Sequence, residues 1–432
     1  MPQPSSNPTK IISAAAASHE PAEVALEPLQ LGIDIPARIA QIDQTKLERW
    51  RLDRLRQQLV DRDFAGALLS DPMNIRYATG TRNMSVWTAH APGRYVFVST
   101  DGPVVLFEFG SSRHVSAQAA LVDEQRPSTP WFYFLAGPRG AQKAKIWADE
   151  IADLLRSHGG GNMRLAVDRC DPMGANGLIA RGVELHDAQE VCELARSIKS
   201  AEEIACLQLS MDVCDLGVER MRMALRPGLT ENQLWSVLHQ TNIAHDGEWI
   251  ECRLLASGQR TNPWFQECGT RVIQAGDLVA FDTDMVGPTG YLADISRSWV
   301  CPGITPSGKQ RRLYDLAQQQ IVTNVELLRP GLSFREFGER CWPVPEAFVA
   351  NRYMMMVHGV GMVDEYPVIA YAKDFNDWGF DGVLQENMVV SVESYLGAVG
   401  DTEGVKLEQQ VLITANGAIP MSRSPFIDAL AI

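Results

Sequence analysis

The chain has 432 residues, room for one large domain or two ordinary ones. Its composition, 45% hydrophobic and 21% charged, is that of a globular protein, and 53 acidic against 39 basic residues leave a net charge of −14. That balance argues against general affinity for nucleic acid, because phosphate binding requires a basic surface, and no apolar run approaches the length of a membrane span.

Taken in chain order, "MPQPSSNPTKIISAAAASHEPAEV" is small and polar, with no apolar stretch behind a basic start. It reads as a disordered tail over residues 1–30 of a cytoplasmic protein. In residues 45–64, Leu47, Trp50, Leu52, Leu55 and Leu59 recur at roughly helical spacing. "GALLS" is strand-like, and "DPMNIRYATG" carries turn residues and closes on Gly80. "RYVFVST" and "PVVLFEF" flank Asp101-Gly102, a hairpin signal. A helix near 140–157 and a strand near 164–168 continue the alternation, giving an α/β first domain over residues 31–192.

"ELARSIKSAEEIACLQLSMDVCDLGVERMRMAL" reads as a long helix, with Ser200 and Glu203 spaced as a capping box at its start. Pro227 and Gly228 break it, and Thr230 is placed to cap the next helix. From Glu248 onward the chain is strand-rich, with helices near 307–328 and 333–350, and the second domain spans 193–432. The eight cysteines are scattered without a CxxC pair, so neither a disulfide framework nor a zinc ribbon is indicated. They read as reduced, mostly buried thiols.

The chemistry concentrates in the second domain. In "GDLVAFDTDMVGPTGYLADISRSWVC", residues 277–286 and 291–301 read as two strands. Asp282 and Asp284 are two apart and would share a face of the first strand. Asp294 meets them from the second. Three acids among Val279, Phe281, Trp299 and Val300 are costly to bury without a cation. Glu393 follows "MVVSV", Glu408 sits within "VKLEQQVLI", and His358 follows "MMMV". Five acids and one imidazole, with no thiolate, suit a pair of Mn, Fe, Co or Zn ions better than a structural zinc.

The order Asp, Asp, His, Glu, Glu resembles the pita-bread metallopeptidase superfamily of methionine aminopeptidase, prolidase, aminopeptidase P and creatinase. "RSIKSAEEIACLQLS", "RPGLTENQLW" and "DPMNIRYATG" are similar to segments of the same superfamily, and the likeness runs over roughly residues 45–420. It implies a creatinase-like N-terminal α/β domain followed by a pita-bread catalytic domain, and a homodimer. Where the peptidases carry a second histidine, in a pattern like HGVGLxxHExP, "HGVGMVDEYP" is one residue shorter and has Asp364 and Glu365. Where they carry another histidine after a Ser-Gly pair, "SGQRTNPWFQECG" offers Trp264 and Phe265. Both imidazoles that serve amide hydrolysis are missing.

These departures are similar to a narrower group, the DddP-type dimethylsulfoniopropionate (DMSP) lyases. That resemblance implies metal ligands at Asp282, Asp284, Asp294, His358, Glu393 and Glu408, with Asp364 as catalytic base. It also implies two metal ions, iron first, with Mn, Co, Ni or Zn as alternatives, and a catalytic tyrosine at Tyr353. DMSP joins a carboxylate to a sulfonium, and cations rest on aromatic faces. Trp264, Phe265, Tyr366 and, from the N-terminal domain or a partner subunit, Trp87 are the expected substrate-binding aromatics. Glu365 is expected to be a solvated acid or one behind the ligands. The alternatives are an Xaa-Pro aminopeptidase or prolidase-like hydrolase, a lyase of a related onium propionate, and a non-catalytic binding protein on the same fold.

Overall fold

The computed structural model describes residues 32–426, and the expected tail at 1–30 lies outside them. The N-terminal part is a six-stranded mixed sheet in the spatial order Glu124–Pro127, Val104–Glu108, Tyr95–Ser99, Gly66–Leu69, Arg164–Val167, Glu184–Asp187. The expected hairpin is its antiparallel centre, Tyr95–Ser99 against Val104–Glu108. The helix Gln44–Asp61 buries Leu47, Leu52, Leu55 and Leu59. Trp50 departs from the expected stripe and is 37% exposed, because Arg51 takes the inward position and donates to the Tyr291 hydroxyl.

"DPMNIRYATG" is a helix, Pro72–Thr79, and not a turn-bearing segment. Asp71 caps it by accepting from the backbone of Met73, Pro72 fills its first turn, and Gly80 ends it at φ 70°. An Asp-Pro start and a left-handed glycine stop are ordinary helix boundaries. The long helix starts at the expected capping box, and the residues before it form a separate helix. Gln189–Ser197 ends where Ile198 turns extended (φ −104°, ψ 117°), and Ala201–Ala224 starts under the reciprocal Ser200–Glu203 capping box. Thr230 caps Glu231–Ala244 as expected. The expected helix over 333–350 is divided into Phe334–Arg340 and Glu346–Val349, with Pro343 and Pro345 between them.

The C-terminal part is built on antiparallel sheets. Five strands run in the order Asp364–Ala370, Met355–Val360, Val389–Leu396, Val405–Thr414, Gly417–Pro420. A three-stranded sheet, Ser296–Val300, Leu278–Asp282, Leu255–Ser257, packs against the strand Val405–Thr414. Helices Ala201–Ala224, Glu231–Ala244 and Gly308–Leu327 cover the outside. One apolar core joins the two parts, running from Leu52 and Leu55 through Leu207 and Leu209 to Phe281. Arg76 locks the same joint with an ion pair to Glu248 (2.7 Å). No helix among the described residues is long and apolar enough to cross a membrane.

Candidate metal centre

The acids converge where the sheets of the C-terminal part meet. Glu393 and Glu408 stand directly opposite each other in antiparallel register. Asp282 ends the strand Leu278–Asp282 and pairs with Ser296 across the neighbouring strand. Asp294 occupies the short gap between Leu292–Ala293 and Ser296–Val300. His358 pairs with Ser391 on the adjoining strand, and a register shift follows it at Gly359. Such irregularities re-aim side chains beside functional sites. His358 Nε2 lies 3.5 Å from Asp294 Oδ2, 3.5 Å from Glu393 Oε1 and 3.3 Å from Glu408 Oε1. All but the edges of these side chains are buried.

Asp284 sits differently from the expectation. The strand breaks at Thr283, whose hydroxyl donates to the Ala293 carbonyl, and Asp284 takes a left-handed φ of 32°. The two aspartates are therefore not alternate residues of one strand. Asp284 is half-buried beside the Cys252 thiol, near enough to Glu408 and His358 to feel their charges. Burial first, then Glu408, raises its carboxyl to about 6.

Asp364 opens the strand Asp364–Ala370, opposite Val360. Its Oδ1 lies 3.4 Å from His358 Nδ1, while the outer part of the side chain faces solvent. Desolvation of its inner side raises the carboxyl to about 6; Asp284, Glu408 and Glu393 add to this and His358 opposes it. Glu365 points elsewhere and is buried, not solvated. Arg196 Nε reaches it at 3.0 Å and the Lys199 ammonium binds its other oxygen. Arg196 also holds Asn74, on the helix Pro72–Thr79.

Sequence reasoning missed Lys406. Its ammonium is fully buried in the cluster, 2.6 Å from Glu393 Oε2, 3.2 Å from Asp282 Oδ2, 3.3 Å from Glu408 Oε2 and 2.7 Å from the Ser296 hydroxyl. The signal was present: Lys406 and Glu408 are two apart on one strand and share a face. Burial would lower the Lys406 pKa, but the three carboxylates raise it well above the ordinary range. Burial alone would raise Glu408, yet Lys406 and His358 hold it well below. Asp282 and Asp294 are pushed well above the carboxylate range by burial and by their acidic neighbours. Six carboxyl groups share two bases, and the cluster is short of positive charge.

The aromatic residues divide. Tyr353 lies over Lys406, its ring centroid 4.6 Å from Nζ, and Trp264 is 5.9 Å from the same nitrogen. Phe265, 62% exposed at φ 69°, stacks on Tyr353 at 5.4 Å. Tyr366 is not brought to the acids; it packs on Phe334 and Phe380, and its backbone N–H donates to Glu193. Trp87 sits on the short helix Ser85–His90 against Phe109, away from the cluster of its own chain.

The donor set fits metal. Asp282, Asp294 and Glu408 each offer an oxygen within 4.8 Å of the others, as do the donor atoms of His358, Glu393 and Glu408, and of Asp294, His358 and Asp364. Asp294 Oδ1 is buried without a hydrogen-bond partner among the described residues, and Glu408 Oε1 faces only the His358 imidazole. Buried carboxylate oxygens left this way need a cation. The site is suited to one or two metal ions, with Asp294 and Glu408 common to neighbouring groups.

The comparisons agree with this geometry. The profile of metallopeptidase family M24 matches residues 205–415, and that of the creatinase/prolidase N-terminal domain matches residues 51–198. The dimethylsulfoniopropionate lyase DddP of Roseovarius nubinhibens is 41% identical over 413 residues, 94% of this chain and 93% of its own length. The chain belongs to the DddP family. The DddP of Roseobacter denitrificans is 39% identical over 91% of this chain and 89% of its own. An Xaa-Pro dipeptidase structure from Bacillus anthracis shares the fold, with TM-score 0.71 and 21% identity over 87% of this chain and 97% of that one. In this DddP family member, His358 is the one imidazole among the described residues that enters the acidic cluster. The cluster thus pairs its acids with a single imidazole, and the carboxylate of Asp364 stands 3.4 Å from that imidazole.

Proposed function

We propose that this protein is a carbon–sulfur lyase that cleaves DMSP to dimethyl sulfide and acrylate by β-elimination. The observation that carries the reading is Asp364, a half-exposed carboxylate held 3.4 Å from His358 at the edge of the acidic cluster. A carboxylate there accepts a proton. Asp364 takes it from the carbon next to the substrate carboxylate. The electron pair of that C–H bond becomes the second bond of acrylate, the C–S bond breaks with its electrons on sulfur, and neutral dimethyl sulfide leaves. No tetrahedral intermediate arises, which is consistent with a site lacking the second imidazole.

Asp282, Asp284, Asp294, His358, Glu393 and Glu408 would hold two metal ions, iron first, with Mn, Co, Ni or Zn able to use the same oxygen-rich set. When bound, such ions supply Lewis acidity toward the substrate carboxylate. Lys406 holds one oxygen each of Asp282, Glu393 and Glu408; the other oxygens of Glu393 and Glu408 face His358, and that of Asp282 accepts from the Ser296 hydroxyl. Tyr353 stands over Lys406, its ring centroid 4.6 Å from Nζ, and is the second catalytic side chain proposed. Phe265, stacked on Tyr353, and Trp264 complete that wall. The active unit is proposed to be a homodimer, the arrangement in which Trp87 reaches a site from the neighbouring subunit.

The test is gas chromatography of the headspace over metal-analysed enzyme and DMSP, with acrylate measured in solution. Dimethyl sulfide and acrylate rising in equal amounts are expected. Cleavage of an Xaa-Pro dipeptide with no sulfide would replace this reading with the hydrolase.

A further inference from the structure

A cavity of about 760 Å³ lies between the N-terminal and catalytic parts, walled by Asn74, Val86, Arg196, Trp249, Glu251 and Val363. Val363 immediately precedes the proposed base, and the backbone N–H of Glu251 donates to the Asp284 carbonyl at 3.0 Å. The cavity therefore lies next to the segments that carry Asp364 and Asp284, and Glu251 in its wall is near enough to Asp364 to feel its charge.

Its charges are unequal. Arg169 is paired with Asp71 at 2.5 Å, and Arg196 with Glu193 and Glu365. Glu251 has no cationic partner among the described residues. Its polar contact is the Trp249 indole N–H at 3.4 Å, and the charges it feels are the negative ones of Asp364 and Asp71. A solvent-facing carboxylate beside an indole, in a cavity whose cations are all engaged, matches a soft organic cation.

The other aromatic wall is already taken. Tyr353 and Trp264 lie around the Lys406 ammonium at 4.6 and 5.9 Å. A second positive charge on those rings would stand within a few ångströms of Lys406, inside a desolvated cluster where like charges repel strongly.

We infer that Trp249 and Glu251 form an onium-cation subsite at the mouth of the catalytic pocket. It takes the positively charged sulfonium end of the substrate, while the carboxylate end points to the acidic cluster. This rests on the proposed onium-carboxylate substrate for its purpose, but not for its binding chemistry.

Tetramethylammonium, an onium without a carboxylate, tests the cation subsite, and propionate, a carboxylate without an onium, is the control. Both are titrated calorimetrically into metal-loaded protein. In Glu251→Gln, tetramethylammonium binding is expected to weaken about fivefold, near the upper range of one exposed charge pair, with propionate binding unchanged. Trp249→Leu should weaken the cation similarly, and Trp249→Phe should restore most of it. With DMSP, Glu251→Gln should raise KM far more than it lowers kcat. Unaltered tetramethylammonium affinity in Glu251→Gln overturns the subsite, and so does an equal loss of propionate. Weakened cation binding in a protein that yields no dimethyl sulfide would keep the subsite and remove the DMSP reading.

Discussion

Lys406 Nζ lies 2.6 Å from Glu393 Oε2, while His358 Nε2 faces the other oxygen, Oε1, at 3.5 Å. The two bases divide Glu408 in the same way, Lys406 at Oε2 and His358 at Oε1, each 3.3 Å away. Two carboxylates are thus clamped so that one edge is fixed by an ammonium and the other is turned toward the imidazole. Removing the ammonium while leaving its three carboxylates buried should cost about 3–5 kcal/mol, the usual loss when one partner of a buried ion pair is deleted. Lys406→Met should therefore unfold at markedly lower urea than the parent when both are stripped of metal. Saturating metal should narrow the gap, because bound cations replace part of the missing charge. Equal urea midpoints without metal would show that Lys406 does not hold the cluster.

Asp364→Asn keeps the shape of the side chain and removes its basicity. General-base contributions are about 10²- to 10⁴-fold, so dimethyl sulfide release should fall by at least about a hundredfold. Metal content by elemental analysis should stay near the parent value. Asp364 also belongs to one of the three donor groups, with Asp294 and His358. A loss of metal in parallel with activity would make it a ligand instead of the base.

The pH profile follows from the same residue. Desolvation of its inner side, then Asp284, Glu408 and Glu393, raise the Asp364 carboxyl to about 6, and His358 works against them. The base is competent when ionised, so activity is present above its pKa and is lost as pH falls through it. Bound metal cations would bring the value down from there, which places the acid limb of kcat at or below about pH 6. A limb well above pH 7, persisting in Asp364→Glu, would point to another group.

Much of this site was legible because its chemistry is local. Asp282, Asp294, Glu393 and Glu408 each stand in or beside a strand with apolar neighbours, and His358 is followed by Gly359 and Gly361, so residue type and spacing sufficed. Asp284 fell short for a geometric reason: two-residue periodicity assumes a continuous strand, and the chain breaks at Thr283. The helix Pro72–Thr79 carried an Asp-Pro start and a glycine stop, yet those residues also mark turns, and eight residues give little periodicity to decide between them. Nothing in its residue type marks Lys406 as buried, although its spacing from Glu408 puts it on the acidic face. The cavity beside Asp364 was beyond sequence, since Asn74, Arg196, Trp249 and Val363 come from four distant segments.

Glu365 is the sharpest case of that distance. Its partners Arg196 and Lys199 lie more than 160 residues earlier, so the sequence left open a solvated acid or one behind the ligands, and did not point to two cations in the interior. Burial alone would raise its carboxyl, and Lys199 and Arg196 draw it back, leaving it above the ordinary value. Because Glu365 begins the buried run of the strand that presents Asp364, this triad sets where the proposed base stands. Glu365→Ala leaves two buried cations facing each other and should destabilise the protein by about 3–5 kcal/mol, read as a lower urea midpoint. Glu365→Asp retains the charge on a shorter arm and should fold with a smaller loss. In that variant kcat should fall more than KM rises, because the displaced residue next to it is the base. A Glu365→Asp enzyme with parental kcat would confine the triad to stability alone.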